Sequence, residues 1–211
     1  MMKFKPALLA GILALACGSG AAKTIEVSQG YGLDFRTQTY TRQSTVVNGQ
    51  TVAYRAYENI VYVANPVDSA YQTINIYIPE AYFNGGSING YTAQTAPIFL
   101  PNQIGGYMPA KAGVPGKGGF GPSKEGQVDA MQAALARGYV VASPGARGRT
   151  AATGKAPAAI VDLKAAVRYL RFNDAVMAGD AEKIISNGTS AGGALSVLLG
   201  ASGNQADYEP Y

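Results

Sequence analysis

The 211 residues contain no histidine, no tryptophan and one cysteine, and only 14% of them are charged. Each shortage excludes something. Without histidine, the usual general base of neutral pH and the commonest metal ligand are both missing. With Cys17 alone, no intrachain disulfide can form. No Cys/His cluster is present for zinc and no acidic loop has calcium-binding spacing, so neither a metal nor a cofactor is expected. The 17 basic and 13 acidic residues give a net charge of +4, scattered along the chain. That leaves no footprint for nucleic acid or an acidic membrane surface. Nor does any apolar run approach the roughly 20 residues that span a bilayer. What is abundant is hydrophobic residues at 47%, 27 glycines and 14 tyrosines. Such a chain is globular and long enough for one sizeable core.

The N-terminus carries a targeting pattern. Lys3 and Lys5 precede an unbroken apolar stretch from Ala7 to Ala16, short enough to be a signal-peptide core. Two cleavage points compete. Cleavage after Ala22 removes residues 1–22, whereas cleavage before Cys17 removes 1–16 and leaves a cysteine that resembles a bacterial lipoprotein anchor. Ala14 and Leu15 are poor choices for the second route, so Ala22 is preferred and lipidated Cys17 is the alternative. Removing Lys3 and Lys5 lowers the net charge from +4 to +2. The expectation is export from a bacterial cytoplasm to a periplasmic, secreted or lipid-anchored state.

From Lys23 to Asn65 the signals are β. Asn48-Gly49 between Val47 and Gln50 supplies the two positive-φ residues of a tight hairpin turn. Val61-Tyr62-Val63 and then Thr73 to Ile78 alternate with period two, and Pro79 stops the second run. Asn84-Gly85-Gly86 and Asn89-Gly90 mark a loop. Strands then alternate with helices: Pro97 to Leu100, a helix through Met131 and Leu135 ended by Gly138, Tyr139 to Ala142, and a helix with Pro157 in its first turn and Ile160, Leu163, Val167 and Leu170 on one face. Ile184 to Ser186 and a helix over Ala191–Leu199 complete the series. This order predicts an α/β fold, a mostly parallel doubly wound sheet from about Thr73 onward with an antiparallel N-terminal part.

The chemistry concentrates at Gly188-Thr189-Ser190-Ala191-Gly192, which fits G-x-S-x-G between a strand and a helix. A nucleophile elbow holds its serine at the tip of a sharp turn, so the residues two before and two after, Gly188 and Gly192, need almost no side chain. Ser190 is the candidate nucleophile; the bland alternative is a small residue in an ordinary turn. The backbone N–H of Ala191, with that of Gly105 (Ile104 is its neighbour), is placed to form an oxyanion hole. A serine of this kind needs a base, and no residue here obviously substitutes for histidine. Lys183 precedes the strand and is expected roughly 20 Å from Ser190, at ~3.3 Å per residue. Gly116-Lys117-Gly118-Gly119-Phe120-Gly121 satisfies G-x-G-x-x-G but follows a loop, so a flexible loop is the better reading than a nucleotide site. Asn187-Gly188-Thr189 is a formal glycosylation sequon inside the elbow, and carries no weight there. Arg147 and Arg149 follow a strand, where α/β proteins place ligands, although solvated loop arginines are the commoner case.

The segment Pro101-Asn102-Gln103-Ile104-Gly105-Gly106-Tyr107-Met108-Pro109 resembles the oxyanion segment of bacterial tannases of the α/β-hydrolase superfamily. Asn187 to Leu195, continued by Gly203-Asn204 and Tyr208-Glu209-Pro210, is similar to the same family, and the likeness extends over roughly Val52 to Tyr211. The resemblance implies an exported serine esterase acting on galloyl (phenolic acid) esters through an acyl-enzyme on Ser190. It implies that residues 23–211 are the N-terminal portion of a catalytic domain, ending after the elbow helix. The lid, the catalytic aspartate and the catalytic histidine would then belong to further polypeptide. The elbow strand would lie beside the Ile98–Leu100 strand. The implied partner is a small phenolic ester, with membrane contact only through Cys17. Two alternatives stand beside this: a non-catalytic exported binding module or decayed fragment, and an esterase of the same fold for other aryl or alkyl esters.

Overall fold

The computed structural model describes residues 31–117 and 127–203. The signal segment with Cys17, most of the Gly116–Gly121 loop, and Asn204, Tyr208, Glu209 and Pro210 lie outside the described residues.

The chain opens with a hairpin of β1 (Thr41–Val47) and β2 (Gln50–Val61). Asn48 at φ 51° and Gly49 at φ 79° make the expected left-handed pair, closing on a Val47–Gln50 pairing. β2 is longer than its sequence suggests. Its register against β3 (Thr73–Pro79) breaks between Tyr57 and Ile60, with Asn59 at φ 60°. Pairing resumes beyond this bulge at Ile60 and Val61, where the strand ends. Tyr62 and Val63, expected to continue it, instead enter the core, where the Tyr62 hydroxyl donates to the Gly145 carbonyl at 2.9 Å. The Asn89-Gly90 loop is also a two-residue turn, with Ile88 and Tyr91 exchanging both backbone hydrogen bonds.

The later elements follow the expected alternation: β4 (Pro97–Pro101), α1 (Ala130–Ala136), β5 (Val140–Pro144), α2 (Ala158–Phe172), β6 (Asp180–Asn187) and α3 (Ala191–Ala201). Asp129 caps α1 through a reciprocal pairing with Gln132, and Gly138 at φ 87° ends it. Pro157 sits one residue before the first turn of α2 rather than inside it.

The six strands form one sheet in the order β1-β2-β3-β5-β4-β6. β5, β4 and β6 are parallel; β3 is antiparallel to both β2 and β5, so the antiparallel part extends through β3. Period-two alternation divides the core between the two faces. Ile74, Ile76, Ile78, Val140 and Ala142 pack with Ile160, Leu163 and Leu195 of α2 and α3. Tyr77 and Val141 face the other way, onto Met131 and Leu135 of α1. Helices therefore cover both faces, and the carboxyl ends of β4, β5 and β6 share one rim.

Candidate active site

β6 delivers the chain to that rim. Asn187 ends the strand and Ser190 precedes α3, so only Gly188 and Thr189 intervene. Ser190 has φ 54° and ψ −121°, a backbone region that residues with a Cβ rarely occupy. Its side chain is exposed and caps no helix N–H. The turn is sharp enough that the backbones of Gly188 and Gly192 nearly touch. A Cβ at Gly188 would lie 2.7 Å from the Asn102 amide nitrogen and closer still to Gly192 itself. One at Gly192 would lie 2.5 Å from the Asn102 amide oxygen and 2.8 Å from the Ile104 carbonyl. Both positions exclude any larger residue.

Asn102, just beyond β4, holds this turn against the segment that follows it. The residue is 5% exposed. Its Nδ2 donates to the carbonyls of Asn187 at 3.0 Å and Gly192 at 3.2 Å, and meets the Ser196 hydroxyl at 3.1 Å. Its Oδ1 accepts from the backbone N–H of Ile104 at 3.3 Å, and its own N–H donates to the Asn187 carbonyl at 2.9 Å. This clamp distinguishes two neighbouring backbone donors. The Ile104 N–H is already bonded and the residue is fully buried, whereas Gly105 is half-buried at the surface of the same segment. Ala191 is the first residue of α3, so its N–H has no acceptor within the helix. Asn102 stands inside the segment Pro101 to Pro109, and the tannase resemblance of that segment gives it no role of its own. The available signal is a polar residue directly after the apolar strand Pro97–Pro101.

The segment after β5 is laced to the one after β4. Ala110 and Ala146 pair across them, and a Cβ at Gly148 would collide with the backbone of Met108 and Pro109. Arg147, a candidate for substrate contact or a solvated loop residue, is neither. It is 2% exposed and binds Asp162 of α2, itself 0% exposed, with guanidinium-to-carboxylate distances of 2.8 to 3.2 Å. Its backbone N–H also donates to Asp162 at 2.8 Å, and Gln72 donates to the same carboxylate at 2.9 Å. Arg149 is exposed, with its N–H bound to the Tyr107 carbonyl at 2.8 Å.

Lys183 lies within β6 rather than before it, because the strand begins at Asp180. Its ammonium pairs with Asp180 at 2.8 Å, and this contact holds the Asp180 carboxyl below its ordinary pKa. Among the described residues, no three His, Cys, Asp or Glu side chains cluster as metal ligands would. No helix among them is long and apolar enough to cross a membrane.

Residues 97–210 match the BD-FAE family, which has the α/β-hydrolase fold. Among solved structures, the tannase of Fusobacterium nucleatum is 58% identical, with a TM-score of 0.80 over 86% of this chain and 38% of that one. The tannase of Lactobacillus plantarum is 44% identical, with a TM-score of 0.76 over 85% of this chain and 39% of that one. A tannin acyl hydrolase in complex with ethyl gallate is 46% identical, with a TM-score of 0.72 over 81% and 38% of the respective chains. The chain thus spans about two-fifths of the length of these relatives. No curated protein matches it. The matched span covers more than half the chain and carries both the Asn102 segment and the Ser190 turn, and the chain belongs to the BD-FAE family of α/β-hydrolases and is similar to bacterial tannases, which are carboxylic ester hydrolases.

Proposed function

We propose that these residues form the nucleophile half of an exported serine esterase for galloyl esters, with Ser190 as the nucleophile. The observation that carries the reading is the conformation of Ser190: exposed, at positive φ, on a strand-to-helix turn that two glycines allow to close. Strain of this kind costs of order 1–3 kcal/mol and persists where the surroundings enforce it. Its use here would be to present Oγ beside two backbone donors, the N–H groups of Ala191 and Gly105.

In the proposed reaction Oγ attacks the ester carbonyl and a base takes the hydroxyl proton. The carbonyl oxygen gains negative charge in the reach of those two N–H groups. The carbon–oxygen bond to the alcohol breaks, and the alcohol leaves with the transferred proton. Water then attacks the acyl-serine by the same route, releasing the acid and restoring Ser190. The 211 residues contain no histidine, so in this reading a histidine base, and the aspartate that orients it, would be supplied by other polypeptide, as the resemblance implies. The galloyl specificity is supported by the tannases to which the chain is similar, one of them bound to ethyl gallate.

A fluorophosphonate probe tests this. The natural polypeptide containing these residues should label at Ser190 and hydrolyse methyl gallate, and Ser190→Ala should lose both. The 211 residues alone should show neither. Labelling of a different residue in the natural polypeptide would overturn the reading; stoichiometric labelling of the 211 residues would show that they hold a base of their own.

A further inference from the structure

Arg147 and Asp162 form an ion pair that no step of the proposed reaction uses. Both are buried within these 211 residues, so their contacts do not depend on what else covers the surface. Burying such a pair is costly. Desolvating two charges offsets most of their attraction, and an apolar pair of similar volume often stabilises as well or better. What an ion pair adds is direction. Asp162 accepts from the guanidinium with both oxygens, at 2.8 to 3.2 Å, and from the main-chain N–H of the same arginine at 2.8 Å. One carboxylate on α2 therefore fixes both the side chain and the backbone of residue 147. Gln72 donates to that carboxylate at 2.9 Å, and Nη1 of Arg147 donates to the Thr153 carbonyl at 3.1 Å.

Both neighbours of Arg147 are joined to the segment that carries Gly105. On one side, Ala146 exchanges two backbone hydrogen bonds with Ala110, at 2.8 and 3.0 Å. On the other, Gly148 packs so closely on the backbone of Met108 and Pro109 that a Cβ would collide with it. One residue further, the Arg149 N–H donates to the Tyr107 carbonyl at 2.8 Å. The Met108 N–H then donates to the Gly105 carbonyl at 2.9 Å, closing a turn in which Gly106 and Tyr107 both have φ 57°. Residues 146 to 149 thus carry the orientation of Arg147 onto residues 105 to 110. Asn102 anchors the other end of this segment through the Ile104 N–H at 3.3 Å, and Gly105 lies between the two anchors.

We infer that Arg147 is a positioning residue for the oxyanion hole: paired with Asp162, it sets where the Gly105 N–H points. The inference rests on the esterase reading above. A backbone donor stabilises the transition state only when it is aimed at the oxygen on which charge develops, and losing one donor costs about 10²–10³ in kcat. A misplacement of about 1 Å can cost about 10². Arg147 is too deeply buried to touch an ester, so its contribution belongs in kcat and not in KM.

The test uses the natural polypeptide and the double variant Arg147→Met/Asp162→Leu, which fills the same space without stranding a charge. Its kcat on methyl gallate should fall by about 10–100-fold, with KM within about threefold of wild type. Phosphonylation of Ser190 by a fluorophosphonate should slow in parallel, because the P=O oxygen draws on the same N–H groups. Amide hydrogen exchange at Met108 and Arg149, whose N–H groups complete the connection, should quicken by at least about tenfold.

A double variant that folds and keeps wild-type kcat would overturn the inference, and so would a loss confined to KM. If the double variant does not fold, Arg147→Lys decides, since it keeps the charge and lacks the planar fork. A kcat lowered by at least about threefold at unchanged KM supports the positioning role, and wild-type kcat ends it. If wild type neither hydrolyses methyl gallate nor labels at Ser190, the esterase reading fails separately. Exchange then decides whether Arg147 orients the segment. Quickened exchange at Met108 and Arg149 supports that, and unchanged protection there ends it.

Discussion

The amide nitrogen of Asn102 donates to the carbonyl of Gly192 at 3.2 Å, across an approach that any side chain at position 192 would block. One buried side chain thereby joins the end of β4 to the first turn of α3, and of the proposed oxyanion donors Gly105 lies three residues beyond Asn102 and Ala191 one residue before Gly192. Asn102→Ala leaves the buried Gly192 carbonyl without its side-chain donor and the buried Ile104 N–H without its acceptor, while the Asn187 carbonyl keeps the N–H of residue 102 and Ser196 keeps Ser186. It should cost about 2–4 kcal/mol, at roughly 1–3 kcal/mol per group left unsatisfied. Asn102→Asp should be at least as harmful, since a carboxylate would face acceptors. Urea unfolding midpoints of the natural polypeptide measure both, and unchanged midpoints would remove Asn102 from the framework of the site.

Ser190→Gly and Ser190→Ala should separate in stability although both abolish probe labelling. Glycine relieves the φ 54° conformation and should raise stability by about 1 kcal/mol, while alanine retains the strain. Thermal melts that rank alanine above glycine would contradict this account of the turn.

The Arg147–Asp162 pair should behave as a buried unit. Arg147→Met alone strands a fully buried carboxylate and should cost about 3–5 kcal/mol. Adding Asp162→Leu should recover much of that loss, so the double variant melts above the single one. Simple addition of two losses would show that the pair is not coupled.

Glu80 should contribute acid sensitivity to the antiparallel half. It accepts both of its hydrogen bonds from Arg55 at 3.1 Å and lies 3.4 Å from Arg42 of β1. The Arg55 hydrogen bonds, and the charges of both arginines, hold its carboxyl below the ordinary glutamate range. A carboxylate with a depressed folded pKa stabilises fully above its unfolded pKa, and that share is lost as pH falls through the folded value. Between about pH 6 and pH 3, wild type should therefore lose more stability than Glu80→Gln. Equal losses would leave Glu80 without a role.

The 211 residues expressed alone should self-associate. β6 is the outermost strand of the described sheet beyond β4, and Ile185 (44%), Val197 (73%) and Leu198 (42%) beside it are exposed. A strand edge with unpaired backbone groups templates further pairing. Ile185→Lys should shift sedimentation toward monomer. A compact wild-type monomer that melts cooperatively would refute the prediction.

What could be read from residues alone was whatever depended on local chemistry. Asn48-Gly49 made its turn because two adjacent positive-φ residues have few other uses. Ile74, Ile76 and Ile78 declared a face by alternation, and the glycines at 188 and 192 marked a backbone crossing. What could not be read depended on distant partners. Arg147 looks like a loop cation until Asp162, fifteen residues on and inside a helix, is placed against it. The true start of β6 was hidden because Asp180, Glu182 and Lys183 suit an outer strand whose side chains reach water.

The strand order also sets a timetable. β4 has β5 on one side and β6 on the other, and both are synthesised after it. The second of them begins at Asp180, about 80 residues later than Pro97. At roughly 5–20 residues per second on the ribosome, β4 waits about 4–16 s with an edge unpaired, while the β1–β2–β3 meander can form as it emerges. Asn102 has nothing to clamp until Gly192 has been made. The rim that would carry out the chemistry is therefore the last part of these residues to acquire its shape, and the part most exposed to chaperones and proteases while the chain is nascent.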